Sequence, residues 1–365
     1  MCDRPVSAQT IAPADQRGEV TDALPQLMRS AVLVAPGCVE IRDVPVPRPG
    51  PGEVVIRIER ALAGGTDRKA FQRGHPQIPM PGPFGHRYAG VVAAVGEGGP
   101  DLAVGQPVMG VHTAPCLRCS FCRKERWSLC PHVMRDKVLG AFAQFLRIPA
   151  HIAKLHVFPR PARLNASHAA LLEPLACVVH GLEQIVWRHV ESVLVVGLGV
   201  IGLLFGQLLP RYTSATRCGA GRRKRRIELA RRFGFDPVWE VPAGGELPAE
   251  LRRRRFDVVL ECTGKVEGWQ LAFDHVLPGG QVLLFGGLPK GTMWPVDCTR
   301  LHYEEIRLVG GFHFGPPDVL KARQVLLDGG LDLDPLIDGC MSLEELPEVM
   351  RRLSASEGMQ YAIAP

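Results

Sequence analysis

Cys116, Cys119, Cys122 and Cys130 are spaced C-x2-C-x2-C-x7-C in the stretch CLRCSFCRKERWSLC. Four thiolates on one short lobe match a closed tetrahedral zinc centre, which leaves no position for a substrate and therefore fixes a loop without catalysing. A second constellation lies in SVLVVGLGVIGLL, where Gly197, Gly199 and Gly202 follow an apolar strand and open a helix. Glycines at that spacing permit a tight turn and let a pyrophosphate approach the helix N-terminus, with Leu198, Val200 and Ile201 completing the loop. The next strand of such a unit should end, about 20 residues on, in an acidic residue that holds the adenosine ribose. Gly221 stands there instead, followed by Arg222, Arg223 and Lys224. A carboxylate that would repel a 2′-phosphate is missing, and guanidinium groups suit phosphate oxygens. Cations at a helix start oppose its macrodipole, which a bound anion would offset. The cofactor expected is NADP(H), and because cells keep that pool mostly reduced, carbonyl reduction is the expected direction.

The elements that must carry these groups change texture along the chain. From 28 to about 150, short alternating runs such as SAVLVA, EVVIRIERA and YAGVVAAVG predict a β-rich region. From about 165, strands alternate with helices of 10–15 residues, the pattern of a parallel, doubly wound α/β sheet. The tail predicts two helices, with Ser342 as the N-cap of the second, and a last strand, MQYAIAP. A chain of 365 residues accommodates two such domains.

Composition excludes several classes. The net charge of +6 gathers in GRRKRR (221–226) and RRRR (252–255), which fits a local anion site and a solvated surface run, not a nucleic-acid face. No apolar stretch approaches the ~20 residues of a membrane span. Residues 1–27 lack the apolar core of a signal peptide and read as a flexible leader, with Met28 a plausible alternative start. Eleven cysteines without a secretion signal indicate thiols and metal binding, hence a cytoplasmic protein.

Taken in order, GGTD, GHRYAGVVAAVG, the four-cysteine lobe, LLEPLACVVHG, GLGVIG, FDVVLECTG and GGQVLLFGG make the chain from Met28 onward resemble the medium-chain dehydrogenase/reductase superfamily. The zinc-type alcohol, polyol, threonine and inosamine dehydrogenases are the members most similar. The resemblance implies a GroES-like catalytic domain over 28–176 and 310–365, with its zinc lobe at about 112–134, and a Rossmann domain over 177–309. It implies an active site in the cleft between them and a homodimer or homotetramer. It adds Thr263, Phe285 and Gly286 to the cofactor-binding residues. Relatives hold a catalytic zinc with a Cys from CGTD, a His from GHE, and a Glu or Cys from an EP segment.

Those positions are Gly64, His86 and Glu173 here, and Arg87 replaces the carboxylate beside the metal. A catalytic zinc is therefore not expected, unless Asp67 supplies the lost ligand. In its place Arg87, held by Glu173, is expected to stabilise the developing alkoxide, while Thr66 sits at the family's hydroxyl relay and Lys69 is a candidate proton donor. The bland alternatives are a structural ion pair for Arg87 and a surface position for Lys69. His112, His132 and His180, and the cysteines outside the lobe, Cys177 among them, are taken as ordinary.

The function expected is NADPH-dependent reduction of a ketone on a polar polyol, aminocyclitol or amino-sugar-like substrate, possible in reverse as secondary-alcohol oxidation and fitting secondary metabolism such as antibiotic biosynthesis. The alternatives are a zinc-free double-bond or quinone reductase, a zinc-dependent alcohol dehydrogenase with a variant ligand set, and an inactive nucleotide-binding scaffold.

Overall fold

The computed structural model describes residues 24–365 apart from 243 and 245. Most of the expected leader lies outside the described residues. The first strand, Leu27–Ala35, takes up its end, and Val46 N–H donates to the Gln26 carbonyl at 3.0 Å.

Val54–Ala63 is the hub of the β-rich half. It pairs antiparallel with Tyr88–Val95, with Phe145–Ile148 and with the C-terminal strand Tyr361–Ala364. The chain end thus returns to the first half, where Ile363 faces Ala61 in register. This sheet buries an apolar cluster that includes Ile56, Phe84, Tyr88, Phe142 and Ile363. Ser342 is not the cap of the last helix. The helix Leu346–Ser354 starts from Glu345, and both the Ser342 amide and hydroxyl donate to the Glu345 carboxylate. A hydroxyl three residues upstream finds a side-chain acceptor before it can reach the helix amides.

The other half is a six-stranded sheet in which every pairing is parallel. Its order is Val238–Glu240, Thr216–Gly221, Ser192–Val196, Phe256–Glu261, Val276–Leu284, Arg307–Gly310. Numbered along the chain that is 3-2-1-4-5-6, the order of a dinucleotide-binding fold. Its strands are nearly continuous Val/Leu runs because helices cover both faces. The switch in winding direction falls between Ser192–Val196 and Phe256–Glu261, so a crevice opens beyond their carboxyl ends, and the glycine loop enters it.

The helix Leu172–Glu183 joins the halves. It is apolar almost all round, with nine of its residues buried, and it packs on the helix Pro316–Asp328. Its first turn carries Glu173 to the cleft.

Candidate active site

The glycine loop is shaped by close approaches. Gly197 takes a φ of +98°, and a Cβ there would meet Thr263 Cγ2 at 2.7 Å. A Cβ on Gly202 would lie 2.1 Å from the Gly197 carbonyl, so only glycine lets the helix Val200–Leu208 sit against its own loop. A Cβ on Gly199 would meet nothing within 4 Å. That open face at the helix start is where a pyrophosphate fits. Gly221 is buried beneath Leu198, whose side chain would lie 2.9 Å from a Cβ. Arg222, Arg223 and Lys224 follow it, all exposed, at the start of a helix whose first turn holds no acidic residue. The rest of the basic run is spent differently: Arg225 pairs with Asp338, and Arg226 donates to the Gly358 carbonyl, both in the C-terminal part of the chain.

Glu261 was not among the residues expected here. Fully buried at the end of its strand, it accepts from the Thr263 amide and hydroxyl, each at 2.5 Å, and from the Gly264 and Gly286 amides at 3.1 and 3.2 Å. One carboxylate therefore ties together the two loops that carry Thr263 and Gly286, and burial raises its pKa against these donors. Phe285 packs edge-on to Phe205 at 5.1 Å between ring centres, so its ring serves the core, while its neighbour Gly286 faces the loop. Lys69 reaches across the cleft: its Nζ lies 3.1 Å from where a Gly264 Cβ would stand. It is not a surface lysine. Burial, then Arg73 and Arg68, lower its pKa against the pull of Glu261.

Around Gly64 the expected ion pair is present. Arg87 Nε donates to Glu173 Oε2 at 2.9 Å, and Arg87 Nη1 donates to Gln360 Oε1 at 2.9 Å, all three side chains being buried. A Cβ on Gly64 would lie 2.8 Å from Arg87 Nη1. The guanidinium thus fills the space that a side chain at position 64 would need. Gly64 and Arg87 are one structural change, not two. Gln360 comes from the C-terminal strand, 273 residues from Arg87 in sequence, and no local signal marks it.

His86 and Asp67 complete the group. Asp67 is fully buried, accepts the Gly64 amide at 2.9 Å and stands 3.4 Å from His86 Nδ1, while His86 Nε2 stands 3.8 Å from Glu173 Oε2. Burial works to raise both carboxyls, but for Asp67 the charges of His86 and Arg87, and for Glu173 those of Arg87 and His86, outweigh it and hold them below the usual carboxylate range. Thr66, half-buried in the first turn of the helix Gly65–Arg73, makes no side-chain hydrogen bond among the described residues. The ligand set of a catalytic zinc does not fit: position 64 has no donor, the guanidinium fills the gap, and Glu173 Oε2 is already engaged. Asp67, turned into the Gly64 cap, does not restore it.

Cys177 and His112 depart from expectation. Cys177, one helical turn after Glu173, places its Sγ 3.6 Å from Glu173 Oε1. His112 packs edge-on against His86 at 4.8 Å and against His313 at 5.6 Å between ring centres. His313, unmarked in the sequence, is bonded to Thr113 Oγ1 at 2.7 Å. The other two histidines stay apart from this group: His132 pairs with Asp136 and His180 with Asp318.

The four lobe cysteines converge as expected, their sulfurs all within 4.8 Å of one another. The Cys122 amide donates to Cys119 Sγ and the Cys116 amide to Cys130 Sγ, the support that thiolates around a metal receive. This donor set fits structural zinc. The lobe leans on the rest of the protein through Trp127, which packs so closely on Gly315 that a Cβ there would meet it at 2.9 Å.

The comparisons agree with this architecture. Residues 50–159 match the family described as alcohol dehydrogenase GroES-like domain, and residues 201–327 match that of zinc-binding dehydrogenase. L-threonine 3-dehydrogenase of Rhizobium etli is 29% identical over 316 residues, covering 84% of this chain and 89% of the relative. Sorbitol dehydrogenase of Bacillus subtilis is 27% identical over 342 residues, covering 91% and 95%. A solved structure described as a zinc-binding dehydrogenase from Sinorhizobium meliloti 1021, bound to NADP, superposes with a TM-score of 0.83 at 28% identity, covering 93% of this chain and all of that one. A parallel-sheet dinucleotide fold joined to a GroES-like half defines an oxidoreductase. The chain belongs to the zinc-type medium-chain dehydrogenase/reductase superfamily, whose relatives here act on polar alcohols.

Proposed function

We propose that the protein is an NADPH-dependent reductase of a ketone on a polar, polyol-like or amino-sugar-like substrate, working reversibly. The observation that carries this reading is the guanidinium of Arg87, fixed by Glu173 and Gln360 in the space of a side chain at position 64. Bound NADPH would supply the hydride to the carbonyl carbon, and the cleft residues would meet the negative charge that gathers on the oxygen. A preorganised cation in a water-poor cleft stabilises that charge most where it develops. The alkoxide then takes a proton from the Lys69 ammonium, leaving alcohol, NADP+ and neutral lysine, which solvent reprotonates. The half-buried Thr66 hydroxyl lines the same helix start and serves as the relay. The exposed Arg222 and Arg223 select the 2′-phosphate.

The test is NADPH oxidation against a panel of polyol-derived ketones, amino-sugar ketones, quinones and α,β-unsaturated ketones. Turnover of the polar ketones is expected. Activity confined to C=C bonds or quinones would replace this reading with a double-bond reductase, and no oxidation with any member would favour a scaffold.

Lys69 sets the pH dependence. Only its ammonium form can donate, so the reduction rate should be highest below its lowered pKa and fall as pH rises through it. Lys69→Met should lower kcat by about 10²-fold and flatten that limb. A limb that persists unchanged in the variant would assign the proton to another group.

A further inference from the structure

Glu173 has two oxygens, and only one faces Arg87. Its Oε1 points toward Cys177 Sγ, 3.6 Å away, one helical turn along Leu172–Glu183. His313 closes the same space from the segment between Arg307–Gly310 and the helix Pro316–Asp328. One carboxylate oxygen, one sulfur and one imidazole nitrogen from these residues all lie within 4.8 Å of one another. From this geometry we infer that Glu173, Cys177 and His313 bind a zinc-class divalent cation, on the opposite side of Glu173 from Arg87, as a centre that positions Glu173.

Five points support it. The donors are one sulfur, one nitrogen and one oxygen, the mixed set that zinc accepts with a fourth position open. Donors on a zinc ion, at about 2.0–2.3 Å from it, stand roughly 3.3–3.8 Å apart, so side-chain adjustment alone closes the set. His313 is held in a left-handed conformation, φ +61°, which a non-glycine residue adopts at a cost. The Thr113 hydroxyl bonds its Nε2 and fixes the ring, as partners of metal-bound imidazoles do. Nearby, His112 Nδ1 is buried without a hydrogen-bond partner among the described residues, beside the His313 ring.

A divalent cation there would deprotonate Cys177, with the thiol proton released to solvent. The cation then holds Glu173 by Oε1 while Arg87 holds it by Oε2. That places the metal behind the catalytic cation, not in front of it.

The inference goes beyond the proposed reaction and does not depend on its substrate. The purified full-length chain is loaded with zinc chloride, freed of loose metal by gel filtration, and analysed by elemental mass spectrometry. Two equivalents per chain are expected, one in the four-cysteine lobe, falling to one in Cys177→Ala and in His313→Ala. Thermal melts check that both variants are folded. Should Cys177→Ala fail to fold, cobalt(II) substitution of the native chain provides a second readout. Titration should then show two spectrally separate steps, one saturating with the intensity of four thiolates and one with that of a single thiolate. A native chain holding one equivalent, a Cys177→Ala protein still holding two, or a single cobalt step would each overturn the site. NADPH oxidation is measured in parallel. A chain that reduces ketones with one equivalent refutes the metal site alone, and a chain with two equivalents and no turnover refutes the proposed reaction alone.

Discussion

Arg87→Ala is expected to lower kcat for ketone reduction by about 10²–10³-fold, the loss typical of one preorganised donor to a developing oxyanion. The same change should destabilise the fold by roughly 3–5 kcal/mol, because buried Glu173 would lose its hydrogen-bonded guanidinium partner. The two effects can be separated. Arg87→Lys keeps a cation, but its single nitrogen lacks the fixed fork by which Nε reaches Glu173 and Nη1 reaches Gln360, so it should regain stability more fully than rate. Gln360→Leu removes one partner of the guanidinium without touching its charge, and a fall in kcat with unchanged KM would assign Gln360 to positioning. If Arg87→Ala folded and turned over at the native rate, the guanidinium would be only a structural plug for the space beside Gly64. Chemical denaturation and steady-state kinetics on the same preparations decide.

The double variant Arg222→Ala/Arg223→Ala should raise KM for NADPH by roughly 10–100-fold per lost charged contact, about 1.5–3 kcal/mol each, and leave KM for NADH nearly unchanged. The expectation rests on two exposed guanidiniums at a helix start that lacks any acidic residue. The obvious converse, Gly221→Asp, is a poor test alone, because a Cβ at 221 would meet Leu198 at 2.9 Å. Gly221→Asp combined with Leu198→Ala opens that space, and should move preference toward NADH. Equal effects of the double arginine variant on both cofactors would assign the run to solvation. Arg225 and Arg226 are unsuitable for this purpose, since they bond Asp338 and the Gly358 carbonyl.

The sequence by itself determined what short-range geometry carries. Four cysteines within one lobe have little choice but to converge, and they do. Glycines after an apolar strand dictate a turn whose φ and close contacts only glycine tolerates, and alternation of strands and helices dictates a parallel sheet. The Arg87–Glu173 pair was legible as well, through the order of motifs.

Only the tertiary structure decided how the gap at Gly64 is filled. Arg87 lies 86 residues from Glu173 and 273 from Gln360, so nothing local ties the three together. The same holds for Glu261, an ordinary strand-end carboxylate in sequence, which folding buries under two loops from separate connections. Cys177 read as one scattered thiol, and His313 carried no signal at all. Burial made them neighbours, because a side chain's surroundings are set by which elements pack, and packing is a property of the whole chain. The missing ligand at 64 and the arginine expected in its place are visible in the motifs; the close approach of that guanidinium to Gly64, and the meeting of Glu173 with Cys177 and His313, exist only in the fold.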